Sequence, residues 1–371
     1  MLLVNRFFKH VAYPSLAKLG YLRNWRTRQC DQLTVLTYHG VFPEGYKPRS
    51  RFLDGNLVSA DRLHQQLRVL KCHYNVIAPE DFKLYLDGNF QLPPRGVLLT
   101  CDDGLANTVS DMLPVLRDVG LKSLFFITGA SFAEEPGMLW HEELWLLLDA
   151  AQSRPLSFQH PVANLGQIPA DTAQRHRLWW HLVQELSKIN AIAREQFMQE
   201  LTLAAKLPEK WKTDLWQNSA DPKRFQLLTS AQVNELTKAG MTIGAHTMNH
   251  PVLEKCSKEI AETELGGPLK LAQEKWNTAT WALAYSYGTE QTVSNRELAM
   301  AETAGYHCAF MNTGAGFSLL ANKFAIPRIN ITADMNLGEF EAQATAFHQH
   351  LQKKLNYFSI PPLNQPVLQQ R

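Results

Sequence analysis

Short, uninterrupted runs of apolar residues recur along the first third of the chain, with amphipathic segments between them. Such runs are typical of strands that are buried on both faces of a parallel sheet. Behind Ser59, a favourable helix N-cap, Leu63, Leu67 and Leu70 follow at helical spacing. The pattern predicts strands at 33–38, 74–78, 96–100 and 124–128, and helices after Ser59, at 79–86 and at 111–119. This alternation favours an α/β sheet or barrel.

The alternation stops near residue 130. From there to residue 224 the pattern is helical, and this stretch holds six of the nine tryptophans. Helices are predicted at 144–151 and 177–186, with loops between Pro155 and Pro169. A stretch of roughly ninety residues is far longer than an ordinary connection, so it is interpreted as a helical insertion.

Strand and helix signals alternate again after residue 225. Helices are predicted at 230–239, 258–274, 295–304 and 337–355, and strands at 241–245, 280–285, 307–311 and 325–331. The Pro-rich tail from Pro361 is predicted to be disordered. The predicted organisation is a basic N-terminal segment (1–32), a catalytic domain in two parts (33–130 and 225–335), a Trp-rich insertion (131–224), and a C-terminal helix and tail (336–371).

Composition and charge exclude several classes of protein. The chain has 371 residues, 45% of them apolar, which excludes an intrinsically disordered protein. A net charge of only +2 argues against a dedicated nucleic-acid binder. No apolar stretch is long enough to predict a transmembrane helix. The five cysteines are odd in number and widely spaced, which favours a reducing, cytoplasmic location over a disulfide framework.

The first thirty residues carry six basic side chains and no acidic one. Basic residues interrupt every candidate apolar core, so a signal peptide is not predicted. The segment suits a basic amphipathic helix, although Pro14 is expected to break or kink it. Two interpretations stay open at this point: peripheral contact with the anionic inner face of a membrane, or a helix packed on the domain.

Candidate catalytic residues lie where predicted strands end, which is where α/β enzymes place their active sites. Asp102 and Asp103 follow the strand at 96–100, and Gly104 next to them lets the backbone approach a ligand closely. His246 and His250 follow the strand at 241–245, and on a helical turn their spacing directs both imidazoles to one metal ion. Two histidines and a carboxylate predict a hydrolytic divalent-metal site, most readily zinc, with nickel, cobalt and iron as alternatives. If Asp102 and Asp103 are considered without the histidines, the alternative interpretation is an Asp-Asp-Gly turn that caps a helix.

Two further strand ends carry unusual polar residues. The turn at 283–288 is able to aim a backbone N–H at a developing oxyanion, or is a tyrosine-rich edge turn. His39, after the first strand, is either a general acid or a core residue. Other histidines are interpreted differently: His348 and His350 as surface residues, and His141, with Glu142 and Glu143, as the solvated start of a helix.

Taken in chain order, these four motifs at strand ends resemble those of the polysaccharide deacetylase superfamily, also called the NodB-homology group or carbohydrate esterase family four. They resemble most the permuted branch that includes poly-N-acetylglucosamine deacetylases, in which a Tyr-His motif, here Tyr38-His39, comes first. Residues 100–104 (TCDDG) are similar to the family's T-F-D-D-G, residues 246–250 match H-(S/T)-x-x-H, and residues 283–288 (LAYSYG) resemble F-A-Y-P-Y-G. The resemblance covers residues 33–130 and 225–335, and it implies a distorted (β/α) barrel with a large helical insertion.

The resemblance also implies roles for individual residues. Asp102 would be the general base, and Asp103, His246 and His250 would hold the metal ion. The backbone N–H of Tyr287 would stabilise the oxyanion, and His39 would protonate the leaving amine. Arg328 would orient Asp102 or depress its pKa, with a surface salt bridge as the alternative. Cys101 and Ser286 replace the family's usual Phe and Pro, which puts the packing beside the base and the stiffness of the oxyanion turn in question.

Three hypotheses of function follow. The first is a metal-dependent deacetylase that removes N-acetyl groups from an amino sugar in a polysaccharide or a lipid-linked precursor. The second is a carbohydrate O-deacetylase or deformylase with the same metal site. The third is a catalytically weak carbohydrate-binding protein that retains the fold. In the first, the tryptophans of the insertion either cover the substrate or fill a helical core.

Overall fold

The computed structural model describes residues 6–26, 32–132, 137–276, 280–314, 316–318 and 321–354. We number the strands in chain order. They are β1 Leu33–Tyr38, β2 Asn75–Val76, β3 Gly96–Cys101, β4 Leu124–Ile127, β5 Pro155–His160, β6 Ala163–Gln167, β7 Thr242–Ala245, β8 Ala282–Ala284, β9 Cys308–Met311, β10 Gly316–Phe317, β11 Ile326–Pro327 and β12 Ile329–Asn330.

Ten of these strands form one sheet in the order β10-β1-β3-β4-β7-β8-β9-β11, with β2 beside β3 and β12 beside β1. All pairings within it are parallel except that of β10 with β1. The segment that holds β11 and β12 pairs with β9 at one end of the sheet and with β1 at the other. It therefore closes the sheet into a distorted barrel, and the predicted fold class is confirmed.

Helices cover the outside of the sheet and begin where the sequence provides caps. The Ser59 hydroxyl accepts a hydrogen bond from the Arg62 N–H, and capping boxes start the helices at Thr229 and Ser294. The helices are Tyr13–Lys18, Tyr21–Arg26, Arg51–Asp54, Ala60–His73, Pro79–Leu86, Leu113–Val119, Trp140–Ala150, Thr172–Leu186, Ala191–Ala204, Trp211–Asp214, Ala220–Phe225, Ser230–Lys238, Lys258–Trp276, Asn295–Ala304, Leu337–Ala344 and Phe347–Lys354. None of them, within the described ranges, combines the length and apolar character that crossing a membrane requires.

The insertion differs from prediction in one respect. It contains five of these helices, but the stretch predicted as loops forms the antiparallel hairpin β5–β6. Inward and outward side chains alternate along β5, and Phe158 packs edge-on against Phe197 of the helix Ala191–Ala204. The strand therefore forms because one of its faces covers the helical core of the insertion.

The N-terminal segment packs on the domain, as the second interpretation of it predicted. Tyr13, Ala17 and Leu22 are buried against the helix Leu337–Ala344. Gly338 allows the close approach, because a Cβ there would lie 2.5 Å from the Pro14 nitrogen. Pro14 does not end the helical segment: helical backbone runs from residue 6 to Lys18, and a π-helical turn, Phe8–Ala12, directly precedes the proline.

The C-terminal region corrects two predictions. The single helix predicted at 337–355 is two helices, separated at Ala346, whose φ is 55°. His348, predicted to lie on the surface, is buried, and its Nδ1 lies 2.6 Å from the Tyr13 hydroxyl. The predicted disordered tail lies outside the described residues.

Candidate metal and catalytic site

Asp102 and Asp103 follow β3 but point to different partners. The Asp102 N–H donates to the Tyr38 carbonyl at 2.9 Å and so continues the pairing of β3 with β1. Asp103 and Gly104 both have φ near 73°, in the left-handed region. A Cβ at Gly104 would lie 3.1 Å from Ile127 and Ser131, so glycine suits both the conformation and the space. This turn sends one carboxylate inward and the other toward the histidines.

Asp103, His246 and His250 converge on one point. The Nε2 atoms of both histidines lie 3.4 Å from Oδ1 of Asp103, and the three candidate ligand atoms lie within 4.8 Å of one another. Charge-assisted hydrogen bonds are usually shorter, at about 2.7–2.9 Å. Ligand atoms about 2.1 Å from one tetrahedral ion lie about 3.4 Å apart. The donor set and its spacing therefore fit a divalent metal ion such as zinc.

Neighbouring groups orient these ligands. His246 Nδ1 lies 2.7 Å from the Ala284 carbonyl, an arrangement that directs Nε2 toward Asp103. Glu264 holds the loop before His250 through the N–H and side-chain amide of Asn249, at 2.7 and 2.8 Å. Burial raises the pKa of Asp103, but the adjacent imidazoles of His246 and His250 outweigh burial and hold it well below its usual value.

The histidine motif does not form the helical turn that its spacing suggested. Residues 246–250 form a loop, in which Thr247 and His250 have φ values of 59° and 55°. The Thr247 hydroxyl accepts a hydrogen bond from the His250 N–H at 3.0 Å and stabilises this conformation. Loop geometry, rather than helical periodicity, brings the imidazoles together.

Arg328 lies in the barrel interior between β11 and β12. Its two terminal nitrogens donate to the two carboxylate oxygens of Asp102 at 2.7 and 2.6 Å. The side chains are 0% and 1% exposed, so this pair is not the surface salt bridge that was the alternative. Burial raises the pKa of Asp102, but Arg328 and His246 lower it below its ordinary value. The carboxylate is therefore ionised and rigidly oriented.

The turn after β8 holds Tyr287 with φ at 60°. Its N–H makes no hydrogen bond within the described part of the chain, which leaves that group available to a ligand. Ser286, where the resembling family has proline, donates its hydroxyl to the Pro251 carbonyl at 2.7 Å. This hydrogen bond ties the turn to Pro251, the residue after His250. It restrains the turn in place of the proline ring that the resembling family has there.

All seven predicted site residues except Arg328 line one cavity of about 150 Å³. His39 is among them, and its Nδ1 is buried without a partner in the described residues. Burial lowers the pKa of His39, against the opposing effect of the nearby aspartates.

The cavity also includes residues that the sequence interpretation assigned elsewhere. His141 is not a solvated helix start, because its ring centroid lies 4.7 Å from that of His250 and 5.8 Å from that of Tyr287. Trp179 and Trp180 of the insertion line the same cavity, whereas Trp145 and Trp211 are buried in packed surroundings. Two tryptophans therefore line the cavity, and others fill the helical core of the insertion.

Comparison with known proteins was made by sequence and by structure. Residues 209–309, which include His246, His250 and the Tyr287 turn, match the family model for polysaccharide deacetylase. This part of the chain is therefore similar to a polysaccharide deacetylase domain. The resemblance inferred from the motifs is thereby confirmed, and comparison with curated proteins gives no significant match.

Solved structures of deacetylases share this fold. The Streptococcus pyogenes deacetylase PplD, in complex with acetate, is 18% identical, with a TM-score of 0.52 over 85% of this chain and 98% of that one. A de-N-acetylase from Aggregatibacter actinomycetemcomitans is 16% identical, with a TM-score of 0.51 over 84% and 100%. A polysaccharide deacetylase from Bacillus cereus is 14% identical, with a TM-score of 0.51 over 84% and 69%. At these identities the likeness establishes the fold.

Proposed function

We propose that this protein is a metal-dependent deacetylase that removes the N-acetyl group of an amino sugar in a polysaccharide or a lipid-linked glycan precursor. The observation that carries the proposal is the convergence of Asp103, His246 and His250 beside a separately oriented carboxylate, Asp102. The chemistry that a divalent ion, expected to be zinc, supplies there is a lower pKa for water and polarisation of a carbonyl oxygen.

The chain's own groups have complementary tasks in amide hydrolysis. Asp102 accepts the proton of the attacking water, and Arg328 holds its two oxygens in one orientation. The unpaired N–H of Tyr287 donates to the oxygen on which negative charge develops. His39, in its protonated form, delivers a proton to the departing amine nitrogen and becomes the neutral imidazole. Its location in the same cavity and its unpartnered Nδ1 support this assignment.

The decisive experiment is acetate release from N-acetylglucosamine oligosaccharides by zinc-loaded protein, with and without a chelator. Acetate that disappears on chelation supports the proposal. Absence of acetate, together with one tightly held metal ion, would contradict N-deacetylation of these sugars and favour the O-deacetylase or deformylase. Absence of both acetate and metal would favour the carbohydrate-binding protein.

Two variants separate the role of a metal ligand, His250, from that of the proposed base, Asp102. His250→Ala should lose metal and activity together, because one of the three ligands is removed. Asp102→Asn should retain the metal but lose about 10²–10⁴-fold in turnover, the usual contribution of a general base. Stoichiometric metal in the first variant, or full activity in the second, would reassign the residue concerned.

Peripheral membrane contact is a separate proposal for the N-terminal segment. Lys9 forms ion pairs with Asp334 and Glu339, and Arg23 forms one with Glu341. These two positive charges are therefore partly neutralised within the chain and less available to anionic lipid. Exposed apolar side chains support the proposal, and Leu19 is the most exposed of them at 79%. The protein should sediment with phosphatidylglycerol vesicles but not with phosphatidylcholine vesicles, and Leu19→Glu should weaken this. Equal recovery with both lipids would contradict an electrostatic contact.

A further inference from the structure

The cavity over the metal ligands is bordered on its outer side by residues that lie off the barrel strands. Trp179 and Trp180 come from the helix Thr172–Leu186, His141 from the helix Trp140–Ala150, and Phe52 from the helix Arg51–Asp54. The enclosed volume of about 150 Å³ is smaller than the roughly 300–1,000 Å³ of clefts that hold a drug-sized ligand. It is suited to one sugar ring and its acyl group, and not to several linked residues.

We call these four residues, Phe52, His141, Trp179 and Trp180, the outer wall of the cavity. Direct contacts hold this wall together. The Trp179 indole N–H donates to the His141 carbonyl at 2.7 Å, which joins the two helices of the insertion. The Phe52 ring stacks on His176 with centroids 4.0 Å apart, and Trp180 packs edge-on against Tyr287 at 5.4 Å. The insertion is therefore attached to the barrel on both sides of the cavity.

Arg224 fixes the base of the wall. Its buried guanidinium donates to Asp54 at 2.9 Å and to Glu142 at 2.8 Å. Asp54 follows the cavity residue Leu53, and Glu142 follows His141. Separating these segments would leave ionised groups buried without partners, which is energetically costly. The wall is a built part of the site and not a loosely attached flap.

The polar lining matches a hydroxyl-rich ligand. The side-chain oxygens of Asn312 and Asn330 are buried and have no hydrogen-bond donor among the described residues. Their amide nitrogens are already used, by the Tyr287 carbonyl at 3.3 Å and by Asn56 at 3.1 Å. The two free oxygens are acceptors that sugar hydroxyls satisfy, while aromatic rings cover the apolar faces of the sugar.

We propose that the site accepts a single N-acetylated sugar residue at the end of a glycan, and that the insertion excludes interior residues of a long chain. An interior residue carries a neighbour on both sides, and in a cavity of this volume, bordered by the insertion, we expect room for a connection on one side only. The inference rests on the proposed function, because it names the part of the glycan on which that deacetylase acts.

The test compares a labelled N-acetylglucosamine pentamer with the methyl glycoside of the monosaccharide. Zinc-loaded protein should release at most one acetate per pentamer, and tandem mass spectrometry should locate the free amine at a terminal residue. Deacetylation of interior residues at a rate comparable to the ends would overturn the inference and leave the proposed function intact.

A binding measurement gives a readout that does not depend on turnover. Quenching of tryptophan fluorescence should give affinities for the monosaccharide and the pentamer within threefold of each other, because only one residue is enclosed. An affinity at least tenfold higher for the pentamer would overturn the inference. If no acetate is released from either sugar while binding is independent of length, the proposed function fails, and only the binding of a single sugar residue is supported.

A pair of variants tests the wall itself. Trp180→Ala should increase the ratio of interior to terminal deacetylation at least tenfold, because it opens the cavity beside Tyr287. The matched control, Trp180→Phe, keeps an aromatic ring at this position and should retain terminal selectivity. An unchanged ratio in the alanine variant, with native-like thermal unfolding, would overturn the role of the insertion in selecting chain ends.

Discussion

The buried pair of Arg328 and Asp102 lends itself to a quantitative test. Replacing Arg328 with methionine keeps much of the side-chain volume but removes both donors to the carboxylate. The pair lies in the barrel interior, where its side chains are 0% and 1% exposed, so water does not replace the lost hydrogen bonds. The cation also lies over the rings of Phe126 and Phe310, and methionine retains apolar contact there.

The expected cost follows from leaving Asp102 buried and unpaired. Removing one partner of a buried ion pair costs about 3–5 kcal/mol in free energy of unfolding. Since domains are stabilised by only about 5–15 kcal/mol, this loss is a large fraction of the total. The double variant Arg328→Met, Asp102→Asn leaves no unpaired charge, so it should regain about 1–3 kcal/mol relative to Arg328→Met alone.

The cost should also depend on pH. In the native protein, the folded-state pKa of Asp102 is below its ordinary value, so the stabilisation by the pair is present at neutral pH. It is lost as the pH falls through that folded-state value. In the variant, His246 and His39 still oppose the effect of burial but Arg328 no longer does, so the pKa of Asp102 should rise and protonation should relieve the unpaired charge. The difference in unfolding free energy between the two proteins should therefore shrink on acidification.

Urea unfolding followed by tryptophan fluorescence measures these differences. A chelator in every sample removes the contribution of metal binding, and all three proteins are compared at neutral and acidic pH. The single variant Asp102→Asn is the fourth member of the double-mutant cycle and is measured under the same conditions. A loss below 1 kcal/mol in Arg328→Met at neutral pH, or a double variant no more stable than that single variant, would refute the argument.

Three further predictions concern the turn, the wall and the terminal helices. Ser286→Ala should cost about 1 kcal/mol of stability and lower turnover, because the hydroxyl no longer holds the Pro251 carbonyl; unchanged kcat would contradict this. Arg224→Met should cost about 3–5 kcal/mol in chemical denaturation, and a melting temperature equal to that of the parent would contradict it. Burial lowers the pKa of His348 to about 4, so stability should fall as the pH drops from the ordinary histidine range toward 4. His348→Gln should reduce this pH dependence, and an identical dependence in the two proteins would contradict the assignment.

Local sequence patterns were sufficient for many elements of the fold. The strand at 33–38 and the helices at 79–86 and 295–304 were predicted with the bounds that the structure has. Apolar runs, caps and terminating glycines act within a few residues, so they are readable from the chain. The β5–β6 hairpin was missed because Leu156 and Phe158 acquire their role only by packing on the insertion.

The site was predictable at the level of motifs but not of geometry. Asp103, His246 and His250 stand at strand ends in the sequence, and parallel strands bring such ends to one edge of a sheet. The helical-turn interpretation of the histidines was wrong, because the conformation of residues 246–250 depends on the Thr247 hydroxyl and on Glu264 of a separate helix. Contacts of this kind have no signature in the spacing of the motif.

The sequence by itself determined the α/β class, the helical character of much of the insertion and the residue types gathered at the strand ends. Only the tertiary structure decided that Arg328 is a buried partner of Asp102, that His141 lies beside His250, and that the insertion lines the cavity. The physical reason is that burial and pairing between distant segments depend on how the sheet closes. The segment 326–330 joins the two ends of the sheet, and this closure brings Arg328 to a carboxylate 226 residues away in sequence.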